Sequence, residues 1–140
     1  MARELGQFRW LEVLTTGPST YTKLCTVDSA LNREIKFDDA TDNCSDGNNE
    51  QEAVEKMYKI DASGKYKSDS VAYAALCTNI DTLQPGDAGF ASIAVKYVTT
   101  LWTFTGTMVY GLSESAPNGA LVTFSLTNAQ FTGAVVRTAS

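Results

Sequence analysis

Apolar and polar side chains alternate most regularly between residues 102 and 136, which predicts two strands and a tight connection. In residues 102–110, WTFTGTMVY, large apolar groups alternate with hydroxyls, as in a strand with one packed face and one solvated face. Residues 121–127, LVTFSLT, repeat this pattern. Between them Pro117 presets φ for a turn and Asn118-Gly119 accepts the positive φ that follows, so we expect a hairpin. An isolated hairpin is marginal in water, so other elements must cover it.

Weaker alternation predicts further strands at residues 7–15, 21–27, 31–38, 57–66, 90–101 and 131–136. In residues 7–15 apolar side chains fall on both faces, which indicates burial on both sides or an edge that meets a partner. In residues 31–38 one face is apolar except for Arg33, and the other face is polar and charged.

One helix is predicted, over residues 70–81, with Ser68 or Asp69 as the capping residue of its first turn. Its apolar stripe, spaced at i, i+3, i+4 and i+7, consists of Tyr73, Leu76, Cys77 and Ile80. Such a stripe is typical of a helix that packs on a sheet. The order of elements therefore predicts a mainly β (α+β) domain: a two-sheet β-sandwich or half-barrel with one flanking α-helix.

The segment at about residues 38–56 predicts a long projecting acidic loop, because its first 18 residues hold seven acids and no basic residue. The acids are Asp38, Asp39, Asp42, Asp46, Glu50, Glu52 and Glu55. A calcium-binding loop that starts at Asp42 does not fit, because Cys44 falls at the third ligand position and Ala53 at the twelfth. A solvated loop, or a loop ordered by a neighbouring subunit, agrees better with the sequence.

Composition limits the function classes. At 140 residues we expect a single domain over residues 1–140. The net charge of −5 disfavours a general nucleic-acid binder, which relies on neutralising phosphates. After Ser70 the chain has five charged residues: Asp81, Asp87, Lys96, Glu114 and Arg137. Two interpretations of this charge-poor half remain open: its surface faces other subunits, or it is a well-packed β region with neutral polar faces.

The sequence predicts no enzyme, cofactor or metal. It has no His, which excludes Ser-His-Asp and Cys-His arrangements, and it has no Gly-rich phosphate loop. Cys25, Cys44 and Cys77 are odd in number and no export signal is evident, so we expect reduced thiols. We also expect no membrane segment. Trp10 and Trp102 could stack on sugars, although core packing is the stronger expectation for Trp102.

Four stretches give the chain a family resemblance over residues 23–134. Residues 31–37, LNREIKF, run into the Asp-rich residues 38–46; residues 59–66, KIDASGKY, place a Ser-Gly step before the helix. Residues 104–109, FTGTMV, and residues 119–129, GALVTFSLTNA, complete the order. In this order and spacing the chain resembles the major tail tube proteins of long-tailed (siphophage-type) bacteriophages and of phage-like gene transfer agents. It lacks the aromatic residue that often follows the polar loop in that family.

The resemblance implies a structural virion protein. Such subunits are small β-sandwiches whose inner sheets join into a β-barrel in hexameric rings, and the rings stack into the tail tube that delivers double-stranded DNA to the host. The implied partners are further copies of the chain and the tail terminator, distal tail and tape-measure proteins, with only transient, non-specific passage of DNA and no membrane. The implied location is the virion tail, after synthesis in the host cytoplasm.

Two sets of candidate residues follow. The tube must pass DNA without holding it, which a neutral or acidic lumen achieves. The candidate lumen-facing residues are the polar sides of four strands: Asn32, Glu34, Lys36, Lys59, Asp61, Ser63, Thr103, Thr105, Thr107, Thr123, Ser125 and Thr127. The candidate inter-ring or inter-subunit contact is the acidic segment, with its seven acids.

Two alternatives remain at this stage. A monomeric β-sandwich of carbohydrate-binding type would use the same strands with an exposed aromatic platform. A related secretion-system tube protein, or a tail terminator, would share the fold and differ in its place in the assembly.

Overall fold

In the computed structural model, which describes residues 5, 8–41, 50–67 and 69–140, strands dominate and a single helix is found among these residues. The elements in chain order are β1 (Trp10–Thr16), β2 (Thr20–Leu24), β3 (Asp28–Asp39), β4 (Gln51–Lys65), α1 (Val71–Thr82), β5 (Ser92–Val98), β6 (Trp102–Ser115) and β7 (Thr123–Ala139). The predicted mainly β fold with one helix is confirmed.

The seven strands form one antiparallel sheet in the order β2-β1-β5-β6-β7-β4-β3, where two sheets had been predicted. The reason lies in β6 and β7, which are 14 and 17 residues long and pair with each other along most of their length. The two strands predicted at residues 121–127 and 131–136 are parts of one strand, β7, which begins at Thr123. The chain passes through positive φ at Asn128 and Gly133 inside this strand, and this irregularity interrupts the alternation in the sequence.

The sheet curls so far that its two edge strands come close together. Edge strands β2 and β3 are consecutive in the chain, with only residues 25–27 between them. Four Cα steps, from Leu24 to Asp28, reach at most about 14 Å. Val27 N donates to Ser63 O at 2.8 Å, and a Cβ on Gly64 would lie 3.0 Å from Cys25 O, so the crossing chain runs tightly over β4. The result is an open half-barrel.

The concave side of the half-barrel holds the core. Leu11, Val13, Val95, Tyr97 and Phe104 are all at most 1% exposed, and the rest of the core comes from alternate positions of β4, β6 and β7. The hydrophobic alternation in the sequence therefore identified the core side of β3, β6 and the first part of β7. In β1 the residues between the core positions are only half-buried, on the opposite face.

Helix α1 covers one end of this core. Tyr110 Oη donates to Leu76 O at 2.8 Å, and the Tyr73 ring lies 4.7 Å from that of Phe124, measured between centroids. The predicted stripe packs inward: Tyr73 and Leu76 are buried, and Cys77 and Ile80 pack against the core. The capping prediction was wrong, because Ser70 is the N-cap and its Oγ accepts from Tyr73 N at 3.3 Å. Ser68 lies outside the described residues.

The acidic segment is less of a loop than predicted. Strand β3 continues to Asp39 and β4 begins at Gln51, so Asp38, Glu52 and Glu55 lie in a paired hairpin. The predicted loop boundary was wrong because strand pairing extends through polar residues, which alternation of hydrophobicity does not reveal. Residues 42–49, which include Asp42 and Asp46, lie outside the described residues.

Candidate assembly surfaces

The face opposite the core carries every candidate lumen residue. Adjacent strands align them in rows: Asn32 lies opposite Lys59, Ser63 opposite Ser125, and Thr127 opposite Gly111. Their neighbours along each strand, such as Phe104, Phe124 and Leu126, point to the core. The structure thus brings all twelve residues onto one face of four strands: Asn32, Glu34 and Lys36 on β3; Lys59, Asp61 and Ser63 on β4; Thr103, Thr105 and Thr107 on β6; Thr123, Ser125 and Thr127 on β7.

The part of this face formed by β6 and β7 carries no charge, and all residues of both strands are described. Ser113 lies opposite Ser125, Thr107 opposite Thr132 and Thr103 opposite Thr138, so hydroxyls form a ladder along the hairpin. The two charged residues of these strands, Glu114 and Arg137, lie opposite Phe124 and Phe104 and therefore belong to the other face. We call this uncharged surface the hydroxyl face.

Several charges on the same side of the neighbouring strands are paired with opposite charges or amides. Lys59 Nζ lies 3.0 Å from Glu34 Oε2, and Asn32 Nδ2 donates to Asp61 Oδ2 at 3.0 Å. On β1, Glu12 lies opposite Lys23 of β2 and opposite Lys96 of β5. Prediction from sequence missed this second row, although the alternation in β1 would have found it. The whole face is close to neutral rather than strongly acidic.

A second group of cations lies at the core-facing side of the sheet, where the hairpin of β3 and β4 leaves it. Three exposed cations sit on aromatic rings there. The Arg33 guanidinium carbon is 5.3 Å from the Phe104 centroid, Lys56 Nζ is 5.7 Å from that of Tyr58, and the Arg137 guanidinium carbon is 4.0 Å from that of Trp102. We call Arg33, Lys56 and Arg137 with these rings the cationic patch. One signal of this patch is visible in the sequence, because Arg33 lies on an otherwise apolar face.

The tryptophans do not form open platforms for sugars. Lys23 Nζ lies 4.7 Å from the centroid of the Trp10 ring, whose Nε1 donates to Glu12 at 2.8 Å. Arg137 covers Trp102 in the same way. Cations of the chain itself thus occupy a face of each ring, which disfavours the carbohydrate-binding alternative.

A cleft of about 500 Å³ lies beside α1 and is lined by Tyr66, Tyr73, Cys77 and Glu114, among others. Tyr73 Oη donates to Glu114. Burial, with the Glu114 contact, raises the pKa of Tyr73, and burial raises the pKa of the Cys77 thiol. Both groups therefore stay protonated at neutral pH, and Cys77 is not an activated nucleophile.

Neither a metal site nor a membrane-spanning helix is found among the described residues. In the described ranges no three Cys, Asp or Glu side chains come together as a possible metal site. Over the same residues, α1 falls short of the length and apolar character that a membrane-spanning helix requires. Cys25 and Cys77 are free thiols, and Cys44 lies outside the described residues.

Comparison with known proteins identifies the fold. A chain from the tail of an empty gene transfer agent particle with C6 symmetry superposes with a TM-score of 0.79 at 12% identity, over 97% of this chain and 99% of that one. A chain from the virion of a native gene transfer agent particle gives 0.76 at 11% identity, with the same coverage. The chain has the fold of these tail proteins. The resemblance to tail tube proteins is thereby confirmed at the level of the fold.

A chain from the sixfold-symmetrised baseplate of the anti-feeding prophage superposes more loosely, with a TM-score of 0.68 at 7% identity over 99% of this chain and 97% of that one. A chain from the tube-terminating cap of the same particle gives 0.61 at 10% identity, over 100% and 94%. No protein-family model matches the sequence, and no curated protein matches it. The likeness is therefore one of architecture, spread over nearly the whole chain.

Proposed function

We propose that this chain is the structural subunit of a phage-type tail tube, that it assembles into stacked hexameric rings, and that double-stranded DNA passes through the tube to the host. The observation that carries the proposal is the near-complete superposition on a gene transfer agent tail chain from a particle with C6 symmetry. The subunit has no catalytic role. Its place is the virion tail, with the tail terminator, distal tail and tape-measure proteins as neighbours.

The open half-barrel supports assembly into a closed ring. Its two edge strands, β2 and β3, have a neighbour in the sheet on one side only. Unpaired backbone groups along an edge favour pairing with another strand, and closure of a sheet into a barrel across subunits removes such edges. A ring of copies would leave the outer face of the sheet lining a channel.

The hydroxyl face supports a role as the channel lining. DNA binds proteins chiefly by releasing counterions when Lys and Arg neutralise its phosphates. On β6 and β7 the face has no cation; on the neighbouring β4, Lys59 is paired with Glu34 and Lys65 lies at the end of the strand, opposite Thr123. Hydroxyls can contact phosphates, but they do not neutralise them and so release few counterions. The affinity for DNA therefore stays low, and DNA slides through without being retained. The candidate lumen residues remain assigned to this role.

The tail-terminator or secretion-tube alternative has one specific observation in its favour, the superposition on the anti-feeding prophage cap chain at a TM-score of 0.61. The higher TM-score of the gene transfer agent tail chain favours the tube role. A terminator would form single rings that do not stack, whereas a tube protein forms stacked rings.

Electron microscopy of the purified protein tests the proposal. We expect negatively stained preparations at high protein concentration to contain tubes with sixfold end views. A shortened variant removes residues 38–52 and links Phe37 to its register partner Ala53 by an Asn-Gly turn. This variant should fold, as measured by circular dichroism, and should not stack. A wild-type protein that stays monomeric at all concentrations contradicts the proposal, and stacked tubes from the shortened variant contradict the role of the acidic segment.

A further inference from the structure

The cleft beside α1 is built from one side of the helix and from two neighbouring segments. Tyr73, Cys77 and Asp81 follow one another at intervals of four residues, so they lie along the same side of α1 and line the cleft. Glu114 enters from β6, and Tyr66 enters from the chain that follows β4. The volume of about 500 Å³ lies in the range of sites that bind small molecules. Neither the hydroxyl face nor the cationic patch contributes to this lining.

The carboxylate of Glu114 lacks a cationic partner in this cleft. Tyr73 Oη donates to it, and no Lys or Arg of the described residues forms an ion pair with it. Lys67 lines the same cleft, but it does not come within ion-pair distance of either carboxylate there. A carboxylate in this position attracts a cation from outside the chain.

The second carboxylate of the cleft, Asp81, lies in the last turn of α1. That turn has no basic residue, and the carbonyl groups at the end of a helix carry partial negative charge, so an anion is unfavourable there. Burial raises the pKa of the Cys77 thiol, and the charges of Glu114 and Asp81 act in the same direction. Both carboxylates therefore act on the middle of the cleft. One ammonium group, that of Lys67, offsets two carboxylates only in part.

Aromatic rings supply the apolar part of the cleft. Tyr66 and Tyr73 meet edge to face, with 5.3 Å between their centroids. Tyr73 is buried and Tyr66 is 44% exposed, so the accessible ring is that of Tyr66. An organic cation is attracted both to an aromatic ring and to a carboxylate beside it. A calcium ion fits less well, since it takes about six to eight oxygen ligands and this cleft offers two carboxylates.

We propose that this cleft binds a small alkylammonium ion, an organic amine in its protonated form. The ammonium group pairs with Glu114, and the apolar stem lies against Tyr66 and Val122. All residues of the cleft belong to one copy of the chain, so this binding goes beyond the proposed tube function and does not depend on assembly.

An NMR titration of isotope-labelled protein, at a concentration below that at which tubes form, tests the site. Butylammonium carries both the charge and the stem, whereas butanol carries the stem without the charge. We expect butylammonium to shift the amide signals of residues 66–82 and 113–116 along saturating curves. Butanol should bind about tenfold more weakly, because it forms no ion pair.

Four variants assign the effect to single groups. Glu114→Gln keeps an acceptor for Tyr73 and removes the charge, so it should weaken butylammonium binding by about tenfold and leave butanol binding unchanged. Tyr66→Leu should weaken butylammonium binding by about two- to fivefold, through loss of the ring contact. Lys67→Gln should tighten it by about two- to threefold, because it removes a like charge. Glu52→Gln removes a carboxylate at the opposite end of β4 and is the matched control, with no expected effect.

The outcomes are independent of the tube proposal. Equal affinities for butylammonium and butanol, or signals that shift throughout the chain instead of at the cleft, overturn the proposed site. A Glu114→Gln variant that is folded in a thermal melt and binds butylammonium like the wild type overturns it as well. None of these results bears on tube formation, because the titration uses unassembled protein. A protein that never forms tubes is tested for the site in the same way.

Discussion

The two long hairpins of this fold have similar lengths, but they differ in how much of their core-facing side is buried. In the β6–β7 hairpin the apolar side chains of one face are buried, as for Phe104 at 1% exposure, and the other face is a ladder of hydroxyls. In the β3–β4 hairpin the core-facing side is covered only as far as Arg33 and Tyr58. Beyond that point Phe37 is 56% exposed. The same alternating pattern therefore produces core in one hairpin and an unpartnered surface in the other, because only tertiary packing supplies the cover.

The comparison assigns different roles to similar residues. Apolar side chains of β6–β7 stabilise the monomer, since full burial of a Phe contributes about 1.5–3 kcal/mol. Exposed apolar side chains of the β3–β4 end contribute little to the stability of the monomer. The first hairpin thus stabilises the fold, and for the second we propose a role in assembly.

The largest expected effect separates the two phenylalanines. Phe104→Ala should lower the free energy of unfolding by about 3–5 kcal/mol, because it opens a cavity under the rings of the core. Phe37→Ala should change it by about 0.5 kcal/mol or less, as expected for an exposed position. Urea unfolding followed by circular dichroism measures both, and equal losses for the two variants would remove the distinction between the hairpins.

A smaller effect is expected from Gly106 in β6. A Cβ at this position would lie 2.9 Å from Cδ1 of the Phe131 ring and 3.3 Å from Ala134 O. Gly106→Ala should therefore destabilise the chain by about 1–3 kcal/mol through overpacking. Thr107→Ala, on the hydroxyl face of the same strand, is the matched control and should change stability by about 0.5 kcal/mol or less. A neutral Gly106→Ala variant would show that the β6–β7 contact is looser than the structure indicates.

The hydroxyl face predicts a change in DNA binding without a change in stability. Thr105→Lys with Thr127→Lys should leave the melting temperature within a few degrees, because both side chains project away from the core. Assembled tubes of this variant should retain double-stranded DNA at low salt and release it as salt rises, through counterion release. Thr105→Ser with Thr127→Ser is the control. Equal retention of DNA by both tubes would place the hydroxyl face outside the channel.

The smallest effect is expected for the ion pair between β3 and β4. Lys59 and Glu34 are 42% and 48% exposed, so their attraction is screened by solvent. Lys59→Met should cost the monomer less than about 1 kcal/mol, and the cost should fall further as salt rises. A loss of several kcal/mol would mean that the β3–β4 hairpin carries monomer stability after all.

Predictions from local signals in the sequence succeeded, whereas those that depend on how strands pair were wrong or missing. The helix over residues 70–81 and the β6–β7 hairpin were found because periodicity and turn residues are local signals, and Tyr73 and Leu76 are buried as the stripe requires. Two sheets were predicted where one exists, because the bulges in β7 divide its pattern. The cationic patch was missed because its cations come from three strands, distant in the chain, that lie side by side in the sheet.

The sequence by itself determined the class of fold, the core-facing side of β3 and β6, the small number of charges in β6 and β7, and the absence of histidine chemistry. These properties depend on residue type and on spacing within one element, and both are written in the chain. Only the tertiary structure decided that a single sheet curls until its edge strands nearly meet, and that Phe37 lies uncovered while Phe104 is buried. The physical reason is that burial is decided by what packs over a face, and that partner comes from a distant part of the chain or from another copy.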